Sequence, residues 1–171
     1  MHVPIVNRRY QANEAFTRAR WRAILNSIKA RITNSNKMLL DFNSYFGEQD
    51  YRKSYLGFLP IPLDEIIGSV GRTCEFDHSF MPLKSYLKER WVKAVLAWET
   101  KDQSPVQVFK VGRHYFVEQG HEMVSTYRYL DMDFIDAEVW EFSFDSHKTK
   151  TREITIPGKL QTATKVSRVN C

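Results

Sequence analysis

Three patterns in the sequence predict a compact α+β domain preceded by a basic helical segment. Trp21, Ile24, Leu25, Ile28 and Ile32 fall at i, i+3, i+4, i+7 and i+11 in "NEAFTRARWRAILNSIKARI", one apolar stripe along an amphipathic helix. The stretch "SPVQVFKVGRHYFVEQG" contains two strand-like runs joined at Gly112–Arg113, a hairpin signature. Along the chain the order is helix, strand, helix, hairpin, helix, strand. That irregular order suits an α+β domain better than a regular βαβ series.

Each element has its own local reason. Asn13 is a plausible N-cap for the first helix, and its apolar stripe predicts packing of Trp21, Ile24 and Ile28 on the domain. After a break near Asn34–Asn36, "NKMLLDFNSYF" is expected to continue the helical region. Gly57, Pro60 and Pro62 then punctuate the chain, and "PIPLDEI" reads as a short strand running into a turn. "GSVGR" is glycine-rich and ends at Arg72. "PLKSYLKERWVKAVLAWETK" returns to helix, with Leu87, Trp91, Val95 and Trp98 at helical spacing. "HEMVSTYRYLD" predicts a further helix and "FIDAEVWEF" a last strand with alternating apolar positions. From Ser146 the chain is polar, threonine-rich and basic, with "TREITIPGKL" a possible short extra strand. The expected organisation is residues 1–56 as a basic helical segment packing on the domain, 57–145 as the domain, and 146–171 as a basic tail.

The 171 residues suit one domain, and 43% apolar with 13% aromatic content is enough for a real core. No apolar run approaches the roughly 18–20 residues of a membrane span, and the first residues lack a signal-peptide layout. The expectation is a soluble, cytoplasmic protein with no membrane partner. Cys74 and Cys171 are too few for a disulfide framework and make no metal-ligand spacing, so Cys74 is expected to be a reduced thiol.

The net charge of +5 hides an asymmetry. Residues 1–37 carry eight Lys/Arg against Glu14 alone, residues 38–145 carry 11 basic and 18 acidic side chains, and residues 146–171 carry six basic side chains against Glu153. A basic arm and tail flanking an acidic centre suit nucleic acid, whose phosphates release counterions to Lys and Arg. The same charges also suit ends that fold back on the acidic centre.

Residues Pro60 to Phe142 resemble the ParB-like N-terminal (ParB-like nuclease) domain of the ParB/sulfiredoxin superfamily. The resemblance rests on the order of "IPLDEIIGSVGR", "FDHSFMP", "ERW" and "PVQVFKVGRHYFVEQGHEMVS". The last of these is similar to a hairpin followed by the Asp-Gly-His-His-Arg-Val-Ser motif of a stand-alone branch. The resemblance implies a compact mixed sheet with helices. It also implies a phosphate site where Gly120 lets an anion approach a helix N-terminus. The family's functions run from nucleoside-triphosphate-dependent DNA clamps to sulfinic-acid repair and serine phosphorylation, so the site must decide.

Several family positions are exchanged here. Gln119 stands where the phosphotransferase branch has an aspartate base, Glu122 replaces the second histidine, and Met123 replaces the phosphate-clamping arginine. A thioether offers neither charge nor a donor, and the added carboxylate would repel a triphosphate by about 1–4 kcal/mol. The implied ligand-binding residues that remain are Arg72, Gly120, His121 and Ser125. The bland alternatives are an Arg72 salt bridge to Glu75 or Asp77, a His121 bonded to backbone, and a Ser125 that packs or caps. Glu118, His121 and Glu122 are the catalytic candidates, with no metal site assigned. Asp131, Asp133 and Asp136 read as a solvated acidic loop.

These exchanges favour a binding or regulatory protein with a degenerate phosphate site, in contact with nucleic acid through the basic arm and tail or with a protein through the first helix. No recognition helix for base reading is evident. The alternative is a metal-assisted phosphotransferase or nuclease, in which Glu118 or Glu122 replaces the lost aspartate and Mg offsets the lost arginine.

Overall fold

The computed structural model describes residues 5–33, 38–47, 50–100 and 104–144. Expectations for the tail from Ser146 and for the break near Asn34–Asn36 lie outside these residues. Helix α1 (Ile5–Ile32) leads into strand β1 (Leu40–Asp41), helix α2 (Phe42–Phe46) and the long strand β2 (Tyr51–Pro62). Strand β3 (Ile66–Ser69), helix α3 (Lys88–Thr100), strands β4 (Val106–Val111) and β5 (His114–Gln119), helix α4 (His121–Tyr129) and strand β6 (Phe134–Phe144) follow.

The six strands form one mixed sheet in the order β1-β3-β5-β4-β6-β2. The expected hairpin is β4–β5, closed with Val111 opposite His114 across Gly112–Arg113. Strands β3 and β5 run parallel, as do β4 and β6, while β2 pairs antiparallel with β6 as an edge strand. Because β2 begins at Tyr51, the boundary drawn between residues 56 and 57 falls inside a strand, at its Gly57 irregularity. "NKMLLDFNSYF" yields the short β1 before α2, where a continuation of the helical region was expected.

Alternation along the strands separates two cores. Val106, Val108, Val117, Ile135, Ala137 and Val139 face the helical side, where α1, α3 and α4 cover them. Phe109, Phe116 and Phe142 face the other side and meet Phe42 and Phe46 of α2. Phe42 is the hub of that cluster, with ring centroids 5.1–5.5 Å from those of Phe46, Phe109, Phe116 and Phe142. A five-residue helix suffices on this face because each of its two phenylalanines buries a large ring.

The docking of α1 reverses the expectation. Its inward face is Ala12, Phe16, Ala19, Ala23 and Ala30, all buried. The stripe expected to pack is exposed: Trp21 is 60% accessible, Leu25 57%, Ile28 50% and Ile32 80%. Residues turn by about 100° each along a helix, which sets this stripe on the far side from the alanines. Small side chains allow the axis of α1 to approach α3 closely, and Phe16 fills the seam against Trp91 with centroids 5.7 Å apart. Trp91 in turn meets Tyr129 at the end of α4 edge-on at 5.5 Å.

Candidate functional site at the start of helix α4

Parallel pairing of β3 with β5 explains how two motifs distant in sequence meet. Ser69 lies opposite Val117, and the Val70 amide donates to the Val117 carbonyl at 2.8 Å. The carboxyl ends of the two strands are therefore side by side. Arg72 follows one and Gly120 follows the other, so both reach the edge where α4 begins. Gly71, with φ of 89°, turns the chain between Ser69 and Arg72.

Gly120 occupies the N-cap of α4 with φ of 89°, the left-handed region that L-residues avoid. A Cβ there would also lie 3.0 Å from Val106 Cγ2 and 3.2 Å from Val106 Cα. Backbone conformation and close approach to β4 thus both call for glycine.

Glu122, in the first turn of α4, holds the position of an anion. Its Oε1 and Oε2 accept from Arg72 Nη2 at 2.8 Å and Nη1 at 3.2 Å, a two-pronged pair. Arg90 Nε is 3.3 Å from Oε1, and the carboxylate also accepts from the Glu122 backbone amide. Burial alone would push this carboxyl up. The Arg72 hydrogen bonds and charge, the backbone donor and Arg90 outweigh it and hold the group below its ordinary range. Arg72 further donates through Nε to Glu75 Oε2 at 2.7 Å, and Nη2 bonds the same oxygen. Tyr86 donates to Glu75 Oε1 at 3.1 Å, and the guanidinium lies 5.5 Å from the Phe76 ring centroid. Burial opposes the charge on Arg72, but the two carboxylates raise its pKa above the ordinary value.

His121 is fully buried. Its Nε2 lies 2.6 Å from Ser69 Oγ, which also accepts from the Arg72 amide at 3.2 Å, and its ring stacks on Phe76. Nδ1 has no hydrogen-bond partner. Burial, aided by the Arg72 charge, pushes the His121 pKa down to about 3, so the imidazole is neutral at physiological pH. Its partner is the Ser69 hydroxyl, where a backbone bond was the alternative.

The remaining sequence-derived residues fall as follows. Ser125 is buried and accepts from Trp91 Nε1 at 2.8 Å, fixing α4 to α3. Met123, set by the resemblance at the phosphate-clamping position, points into the core and is 8% exposed. Gln119 is exposed at the end of β5. Glu118 is half-buried in β5, and its side chain makes no hydrogen bond or ion pair among the described residues. Asp131 and Asp133 are exposed, and the Asp133 carbonyl accepts from the Leu63 amide at 2.9 Å. Among the described residues, no group of three or more His, Cys, Asp or Glu is placed to hold a metal ion. Cys74 lies in the turn between β3 and α3, and the chain's other cysteine, Cys171, lies outside the described residues.

The roles of two residues were missed from sequence; Asp77, offered as a partner for Arg72, does not pair with it, and Arg72 takes Glu75 and Glu122 instead. Asp77 is buried, and its Oδ1 accepts from the Ser79 and Met81 amides at 2.9 and 2.8 Å while Oδ2 accepts from Asn26 Nδ2 at 2.9 Å. It ties α1 to the loop before α3, and the Asp-x-Ser spacing of an Asx turn was the available signal. Arg128 bonds the carbonyls of Leu63 and Ile66, bracing the turn that leads into β3. No helix among the described residues is long and apolar enough to cross a membrane. No protein-family model, no curated protein and no solved structure matches the chain.

Proposed function

We propose that the chain is a ParB/sulfiredoxin-like domain whose phosphate turn is filled by its own Glu122 carboxylate, and that it acts as a binding or regulatory protein. The observation that carries this reading is the pairing of Glu122 with Arg72, Arg90 and its own amide at the start of α4. These are the donors a phosphate would recruit at a helix N-terminus. An internal carboxylate already satisfies them, and an incoming anion must displace it. The fold reading draws support from the glycine junction between β5 and α4 and from the parallel β3 that brings Arg72 beside it.

The enzyme alternative needs a carboxylate with basicity to lend. Glu122 is held ionised by two guanidiniums, which makes it a poor proton acceptor, and His121 is enclosed. Glu118 is then the remaining group for a metal-assisted route, with Mg supplied from solution. The basic residues of α1 keep nucleic acid among the partner classes. A salt series with duplex DNA tests that class, with an expected slope of about 0.9 log units per phosphate contacted.

Calorimetric titration with pyrophosphate and ATP, with and without Mg, tests the central reading. The wild-type chain is expected to give no binding heat. Glu122→Ala, which frees Arg72 Nη1, Arg90 and the helix amide while Glu75 still anchors Arg72, is expected to bind pyrophosphate measurably. Micromolar ATP affinity in the wild type overturns the reading. So does a folded Glu122→Ala variant that still ignores pyrophosphate, because the turn is then no anion site.

A further inference from the structure

We infer that the outer face of α1 is a docking seam for an acidic amphipathic helix of a partner protein. Trp21, Leu25, Ile28 and Ile32 are spaced by four, three and four residues, the repeat of a coiled-coil seam rather than of a scattered surface. All four are at least half exposed, and Ile24 beside them is 40% exposed. This is a contiguous apolar strip on a helix whose opposite face is already packed. Two heptads of seam residues are matched by no apolar cover among the described residues.

Charge selects the occupant. The seam is flanked by Arg22 and Lys29 on one side and by Arg31 on the other, with Arg18 one turn earlier. Among residues 5–33 the acidic side chain is Glu14 alone, and it is paired with Arg18 at 3.2 Å. Flanking positions in a two-helix seam face those of the partner. A second copy of α1 would bring Arg and Lys against Arg and Lys, whereas a helix with Glu or Asp at its flanks would meet Arg22, Lys29 and Arg31.

Shape favours a helix over a flat anionic surface. A groove of about 490 Å³ runs beside the seam, between Leu25 and Ile28 of α1 and Ser79, Met81 and Asp131 of the domain. A groove walled on one side accepts the side chains of a narrow element. A bilayer needs the apolar strip to stand proud on all sides, whereas here the domain walls one side of it. The inference is independent of whether the junction at Gly120 binds anions.

The test uses the full chain and a synthetic helix of about three heptads, with Leu at its seam positions and Glu at its flanks. Two control peptides are a scramble of the same composition and the same heptads with Lys at the flanks. Calorimetry is expected to give saturable one-to-one binding of the acidic heptad peptide, weaker by about tenfold or more for each control. Leu25→Ser together with Ile28→Ser is expected to weaken binding about tenfold while leaving the unfolding midpoint in place, and Ile32→Ser alone should move it the same way. Several results overturn the inference: equal binding of the acidic peptide and its scramble, unchanged binding by the variants, or no binding at all. So does a dimer of the wild-type chain in sedimentation that the double variant abolishes. Loss of phosphatidylserine-vesicle or duplex-DNA binding in the double variant, with the acidic peptide inert, likewise assigns the face to those partners and overturns it.

Discussion

The junction before α4 and the outer face of α1 are opposites. At the junction, charged and polar side chains are enclosed and matched: Arg72 with Glu75 and Glu122, His121 with Ser69, Ser125 with Trp91. On α1, large apolar side chains stand in solvent beside Arg22, Lys29 and Arg31, which make no ion pair among the described residues. The junction has the residue types that suggest chemistry, but apart from His121 Nδ1 its valences are met internally. The α1 face has no reactive group, yet it leaves apolar area and charge unmatched. Residue identity marks where a function was expected, while unmatched surface marks where an outside molecule gains most.

The sharpest way to break this comparison lies within α1 itself. Phe16→Ala removes a buried ring packed on Trp91 and is expected to destabilise the fold by about 3–5 kcal/mol in urea unfolding. Ile28→Ala, on the outer face, is expected to change stability by less than about 0.5 kcal/mol. Equal costs at the two positions would mean that the outer face is covered in the folded chain.

A smaller effect tests the closed character of the junction. Arg72→Ala strands two mostly buried carboxylates and is expected to cost about 2–3 kcal/mol, reduced from a fully buried pair by the remaining solvent contact. Pairing with Glu75→Ala in a double-mutant cycle should recover part of that cost. Additive costs would show that Arg72 and Glu75 do not interact.

The gentlest probe is pH. His121 has a folded pKa of about 3 against an ordinary value of 6.5. Below 6.5 the unfolded chain takes up a proton that the folded chain refuses, so stability falls as pH drops from 6.5 towards 3. The limiting slope is about 1.4 kcal/mol per pH unit. Glu122, with its folded pKa lowered from 4.5, contributes stability that is present above the ordinary carboxylate range and lost only as pH falls through it. Between pH 6.5 and 4.5 the slope belongs mainly to His121, with a smaller share from His114, whose pKa burial also lowers. His121→Gln should flatten that part of the profile and leave the acid limb below it. A wild-type profile already flat from pH 7 to 5 would mean that the imidazole takes up protons in the folded state.

Much of this molecule follows from short-range pattern. The β4–β5 hairpin, α4 and β6 each come from local turn chemistry and periodicity, and so does Gly120 at the head of α4. The charge asymmetry of the ends is a property of composition. Sequence also supplies both faces of α1, the alanines with Phe16 and the Trp-Leu-Ile strip, since helical periodicity lays them on opposite sides whatever else happens. It does not say which face turns inward. Hydrophobicity favours the larger residues, but the space between α1 and α3 is set by Trp91, Phe16 and the sheet beneath, and the small alanines fit it. Arg72 and Glu122 are likewise separate motifs until β3 and β5 pair in parallel and set their carboxyl ends together. Local propensity acts over a few residues. Choosing a buried face or an ion-pair partner depends on the shape of the rest of the chain, which only the tertiary structure decides.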